Sequence, residues 1–294
     1  MPGDADSAAA VIDRLPPRLC GSVEWASSRW PGRIVVRSLA NCVRIELFDR
    51  SMTIAGQFFT SVFPILVTIA VWAGPEDSSQ IAEALNMPEE SRSVLNDAFD
   101  DSSSAAFGTA GVLIVLISAT SLSRALTRAF ADVWMLPRPR SSLASAWRWL
   151  AVVLCLALSL IAIRALGAYL DASQASTVAL AGTSLGCDLA VALFVPWILL
   201  SGTVAPRSLV PGALLFAIVM LVARPASAAW LPRALEASAD RYGSIGVAFT
   251  YLAWLYALSF CFLATTTIGQ VVESDRGTFG RWLRGVDEYG VART

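Results

Sequence analysis

The chain has 294 residues, 55% of them hydrophobic and only 15% charged, with a mean hydropathy of +0.60. Soluble domains carry roughly a quarter charged residues, so composition argues against a water-covered globule and for lipid as much of the solvent. The net charge is −1, all 22 basic residues are Arg and there is no His; this removes a general nucleic-acid footprint and the commonest general base and zinc ligand.

Residues 1–37 lack the apolar core of a signal peptide, because Asp4, Asp6, Asp13 and Pro16-Pro17 interrupt them. They are expected to form a mostly disordered cytoplasmic arm. A six-helix transmembrane domain is expected over 38–285, followed by a short cytoplasmic tail at 286–294. A bilayer core about 30 Å thick needs about 20 apolar residues in a helix. Six stretches meet this: 51–72, 105–122 continuing as a more polar helix to 134, 147–170, 185–204, 208–230 and 245–272. The fold class is therefore all-α, a polytopic membrane helical bundle. Only Ala205-Pro206-Arg207 separates the fourth and fifth stretches, which predicts a tight helical hairpin.

The first connecting loop, about 75–104, is rich in Asp and Glu and carries Arg92 as its one basic residue. Short surface helices are expected at 79–87 and 89–99. The second stretch turns amphipathic after Leu122. Leu122, Ala125, Leu126, Ala129, Phe130 and Val133 form one stripe, and Arg124 and Arg128 lie four apart on another face. Those two arginines are candidates for lipid headgroups at the cytoplasmic surface. Most other arginines fall in the N-terminal arm, the second-to-third loop and the tail. Arg92, Arg224, Arg233 and Arg241 fall on the opposite side. The asymmetry predicts both termini inside. Trp72, Trp134, Trp147 and Trp230 sit near predicted helix ends, where an amphipathic ring prefers the interface.

Several blocks, in order, resemble the YihY/BrkB family of bacterial inner-membrane proteins over roughly residues 38–285. They are Ser61-Val62-Phe63-Pro64-Ile65-Leu66; Ser118-Ala119-Thr120-Ser121-Leu122-Ser123-Arg124-Ala125-Leu126 with Asp132-Val133-Trp134; Pro211-Gly212-Ala213-Leu214-Leu215; and Tyr242-Gly243-Ser244-Ile245-Gly246 with Trp254-Leu255-Tyr256. The resemblance implies six membrane helices, multi-pass in the bacterial inner membrane, and no settled biochemical activity. Labels attached to the family include virulence or serum-resistance factor and ribonuclease BN. This chain departs from the family pattern at Phe58-Phe59, where a tyrosine pair is usual, and at Asp132, where asparagine is common. Thr265-Thr266-Thr267 stand where the family pattern has a glycine and an acid, so any ion coupling that rests on that acid in relatives does not carry over to this chain.

Ionisable groups inside lipid are costly and often functional. Arg164 in the third stretch and Asp188 in the fourth lie at similar depth, and they are expected to pair. Gln57 with Thr60 and Ser61 gives the first helix a polar face, and Thr265, Thr266 and Thr267 do so for the sixth. Such residues serve interhelical hydrogen bonding or line a polar cavity. Pro64 and Pro196 are candidate kinks in helices one and four. Paired breaks of this kind also occur in inverted-repeat transporters. Cys20, Cys42, Cys155, Cys187 and Cys261 form no CxxC and read as small packed side chains.

RNA hydrolysis is disfavoured: no His is present and the clustered acids lie in the outer loop. Without Lys, no GxxxxGK[ST] loop can exist. The chain is read as a non-enzyme with no cofactor and no metal. Its expected partners are membrane lipids and not nucleic acid, with homo-oligomers and protein partners left open. Two functional classes follow: a transporter or flippase-like protein for a lipid or amphiphilic envelope molecule, and a non-transporting membrane scaffold or envelope-homeostasis factor. The first predicts a cavity lined by Gln57, Arg164, Asp188 and the threonines; the second predicts a filled interior.

Overall fold

The computed structural model describes residues 30–61, 105–137, 177–200 and 202–275, and all regular structure among them is helical. Helix α1 is Trp30–Arg44, α2 covers 47–61, α3 is Ala105–Val133, α4 is Thr177–Leu199 and α5 is Pro206–Ser274. The predicted loop at 75–104, with its short helices, and the third stretch at 147–170 lie outside the described residues.

α5 is two helices in series. Gly243 has φ 61° and ψ −146° inside it, a conformation that essentially only glycine tolerates. A Cβ at Gly243 would meet nothing within 4 Å. The demand for glycine there is conformational and not steric. The break defines α5a, over 206–242, and α5b, over 244–274. They fold back on each other, because Gly212 touches Gly269 and Ser238 hydrogen-bonds Thr250 at 2.8 Å. The Gly243 end is called the tip below, and the opposite end the base. The sequence predicts a fifth helix ending near Trp230 and a loop before Ile245; the chain instead stays helical to residue 242 and breaks only at Gly243.

The other ends follow local chemistry. Met135, at φ 51°, closes α3 in the left-handed region, with the Leu136 N–H reaching the Ala131 carbonyl at 2.8 Å. Pro137 follows, as it often does after a helix cap. Gly202, at φ 69°, closes α4 and donates to the Trp197 carbonyl at 3.0 Å. Pro206 then starts α5, where its missing N–H is harmless. These features make the tight α4–α5a hairpin that the sequence predicts.

α1 is a departure from expectation. The sequence places residues 30–37 in a disordered arm, yet helix begins at Trp30. Glu46, at φ 53°, sits at the junction between α1 and α2.

The core lies toward the base. Leu122, Leu126, Ala129, Phe130 and Val133 of α3 pack with Val195, Ile198 and Leu199 of α4, Leu209 of α5a and Leu263 of α5b. The amphipathic stripe read from the sequence is thus the buried face of α3. Phe262 meets Phe130 edge-on, with centroids 5.4 Å apart, and Phe216 at 4.8 Å. Where α5a crosses α5b, Gly212 and Gly269 face each other. A Cβ on Gly269 would come within 2.5 Å of the Gly212 Cα and N. Small residues at such crossings let backbones approach, and in lipid that packing carries association.

The outer surface is apolar. Ile117, Leu214, Ile218 and Val222 are exposed. Segments Ala181–Leu199 and Pro206–Ser274 are long and apolar enough to cross a membrane.

Candidate functional site: the polar bridges between helices

Asp188 is nearly buried, at 8% side-chain exposure, and Arg224 is at 30%. The guanidinium grips the carboxylate through two contacts. Nε donates to Oδ2 at 3.1 Å and Nη2 donates to Oδ1. This fork is the geometry that arginine suits best. It ties α4 to α5a. The sequence reading paired Asp188 with Arg164, which lies outside the described residues. Both carboxylate oxygens of Asp188 are engaged by Arg224, a residue that the reading counted among outward charges. A usable signal existed: Asp188 precedes the Pro206 turn by about as many residues as Arg224 follows it, so the hairpin sets them side by side.

Gln57 is half-buried and accepts from the Ser121 hydroxyl at 2.6 Å, joining α2 to α3. Ser61 donates to the Gln57 carbonyl at 2.7 Å. Thr265, Thr266 and Thr267 are all buried. Their hydroxyls donate to carbonyls one turn back: Cys261 and Phe262 for Thr265, Phe262 for Thr266 and Leu263 for Thr267. Back-bonding of this kind satisfies a hydroxyl in apolar surroundings.

Pro196 is buried inside α4. Its ring removes the N–H that would cap the Ala192 carbonyl. Beside it lies a void of about 10 Å³ bordered by Trp134, Ala192, Pro196, Gly212, Thr266 and Gly269. One water needs about that much room. Pro64 lies outside the described residues. Arg124 and Arg128 are exposed on α3, away from its buried stripe.

A second polar cluster sits at the base, and sequence reasoning missed it. Asp275 is 4% exposed and lies 3.3 Å from Arg33 and 3.7 Å from Arg37. Arg37 also donates to the Ser274 hydroxyl at 3.3 Å. Asn41 donates to the Gln270 side chain at 3.2 Å, and both residues are buried. Arg44 donates to the Asp132 carbonyl at 3.3 Å, and Arg50 pairs with the Asp132 carboxylate at 2.6 Å. Arg33, Arg37 and Asn41 recur every four residues, so one face of α1 is polar and docks on α5b. That spacing was visible in the sequence. The expected disordered arm ends at residue 37, which divides this face between two segments.

No curated protein and no solved structure matches the chain. A family model described as Virulence factor BrkB matches residues 39–281, from the middle of α1 past the end of α5. With apolar helices long enough to cross a bilayer and a family match over most of its length, this helical membrane protein belongs to the Virulence factor BrkB family.

Proposed function

We propose that the chain is a non-enzymatic, multi-pass scaffold of the bacterial cytoplasmic membrane, with six spans and both termini inside. The observation that carries this reading is the use made of the polar side chains. Gln57, Asp188 and the three threonines each satisfy another helix or their own backbone. Of these candidates only Thr266 borders the void, which has room for about one water. A bundle whose polar groups hold helices together suits a structural role in lipid. Membrane lipids are its immediate partners. Arg124 and Arg128 on the exposed face of α3 suit anionic headgroups.

A second reading, a transporter or flippase-like protein for a lipid or amphiphilic envelope molecule, is favoured by one feature. Asp188 and Arg224 place opposite charges between apolar helices, where ionisable groups often mark a pathway. A lipid-flip assay in liposomes separates the two. The scaffold reading expects scrambling equal to that of empty liposomes. Scrambling above that level, and lost in Arg224→Ala or Arg164→Ala, would overturn it.

A further inference from the structure

The polar face of α1 is turned inward, and its apolar face is left outside. Arg33, Arg37 and Asn41 point at α5b through Asp275, Ser274 and Gln270. Val35, Leu39 and Val43 recur at the same spacing, two residues out of step, which is nearly the opposite side of a helix. They are 56%, 62% and 68% exposed. An amphipathic helix in a water-soluble protein has the reverse arrangement.

We propose that this stripe is a lipid-contacting surface that seats α1 in the headgroup–acyl boundary of the leaflet at the base. Continuity selects lipid as the occupant. The stripe runs on into Phe48 and Met52 of α2, 69% and 48% exposed. Phe48 lies against Phe260, with centroids 5.3 Å apart, inside the long apolar helix that is suited to cross a bilayer. The apolar surface of the spans therefore resumes on α1 across the turn at Glu46. Charge agrees with this placement. Arg44 and Arg128 are exposed at the same end, where Arg44 binds the last turn of α3. Arginines beside an apolar stripe suit the phosphate layer. Glu46 and Asp49 are also exposed near the junction, so apolar contact carries the binding and the arginines set its depth.

The inference rests on the base lying at the membrane surface in the proposed topology, and the test separates the two. Single cysteines replace Leu39 or Ile218 in an otherwise cysteine-free full chain. Each is labelled with an environment-sensitive fluorophore and reconstituted in mixed phosphatidylcholine and phosphatidylglycerol vesicles. Ile218 is an exposed apolar residue of α5a and reports on the span. The expected result is that both labels are quenched by brominated lipid more strongly than by aqueous iodide, with residue 39 the shallower. Lipid quenching at 218 but iodide quenching at 39 would overturn this inference and leave the topology standing. Iodide quenching at both positions would overturn the topology. A label at 39 that is shielded from both quenchers and self-quenches between chains would mean that a second copy covers the stripe, and would also overturn the inference.

Discussion

The two ends of the bundle are held together differently. At the base, α1, α2, α3, α4, α5a and α5b converge, aromatic rings interlock, and charged side chains bridge α1, α2, α3 and α5b. At the tip, α5a and α5b reach out as a pair, and Trp230, Tyr242, Ile245 and Phe249 are all more than half exposed. The 206–242 arm extends about 55 Å at 1.5 Å per residue, against a hydrocarbon core of about 30 Å. The base is fixed by packing between helices. The tip is fixed by the backbone conformation of Gly243, by the Ser238–Thr250 hydrogen bond and by a tight spot where a Cβ on Gly246 would come within 2.4 Å of the Ser238 carbonyl oxygen. Damage at the base is therefore expected to unfold the bundle, whereas damage at the tip redirects a hairpin.

The largest effect should come from filling the glycine crossing. Gly269→Leu forces its side chain into the Gly212 backbone, which cannot rotate aside. Overpacking typically costs about 1–3 kcal/mol, and a backbone obstacle puts this site at or above the upper end. Thermal unfolding in detergent should show a large loss of stability, or no monodisperse protein should be recovered. Wild-type stability in this variant would show that the crossing is looser than described.

The Asp188–Arg224 pair comes next. Removing one partner of a buried pair costs about 3–5 kcal/mol. Arg224 is about a third exposed, so water relieves part of that, and Asp188→Ala is expected to cost about 2 kcal/mol. A double change, Asp188→Leu with Arg224→Met, should recover most of the loss, because an apolar pair often replaces a buried ion pair without penalty. Failure of the double variant to recover, with the fold intact by circular dichroism, would point to a role for the charges themselves.

Much of this was legible in the sequence, for a definite reason. Long apolar runs interrupted by Pro and Gly give helices whatever surrounds them. The reading thus found 105–134 against Ala105–Val133 and 245–272 against 244–274. The buried stripe of α3 was visible because its spacing is helical. The partner of Asp188 was not legible from depth alone, because depth does not say which neighbour is nearer. The helix through 231–242 was hidden by Pro232 and charged residues, which read as a loop when a span is assumed to end at the membrane. α1 was hidden by its composition: arginines among short apolar residues read as an arm until α5b supplies partners for them.

Smaller effects should separate the ends more finely. Asp275→Asn removes the carboxylate between Arg33 and Arg37 at the base. Arg33 is well exposed, so a loss of about 1 kcal/mol is expected, accompanied by faster proteolysis near α1. Gly243→Ala at the tip strains the backbone by about 1–3 kcal/mol. Most of that strain should be relieved by a change in the hairpin, so the melting temperature should fall less than in Gly269→Leu. Distance measurement between labels on α5a and α5b near the tip would show whether the arms have moved.

The mildest contrast concerns thiol chemistry. Cys42 is half-buried on α1, and burial pushes its thiol above the usual range. Only the thiolate reacts with alkylating reagents. A raised value means less thiolate at neutral pH, so Cys42 should alkylate slowly, and its rate should keep climbing at a pH where an ordinary thiol has levelled off. In a chain holding Cys42 alone, that rate should fall below the rate of a chain holding only Tyr242→Cys, because residue 242 is 71% exposed at the tip. Asp275→Asn should raise the Cys42 rate toward the Tyr242→Cys rate, since loosening α1 from α5b lets water reach the sulfur. Equal rates in the unaltered base and tip would mean that α1 is not docked, and the distinction between the two ends would fail at its weakest joint.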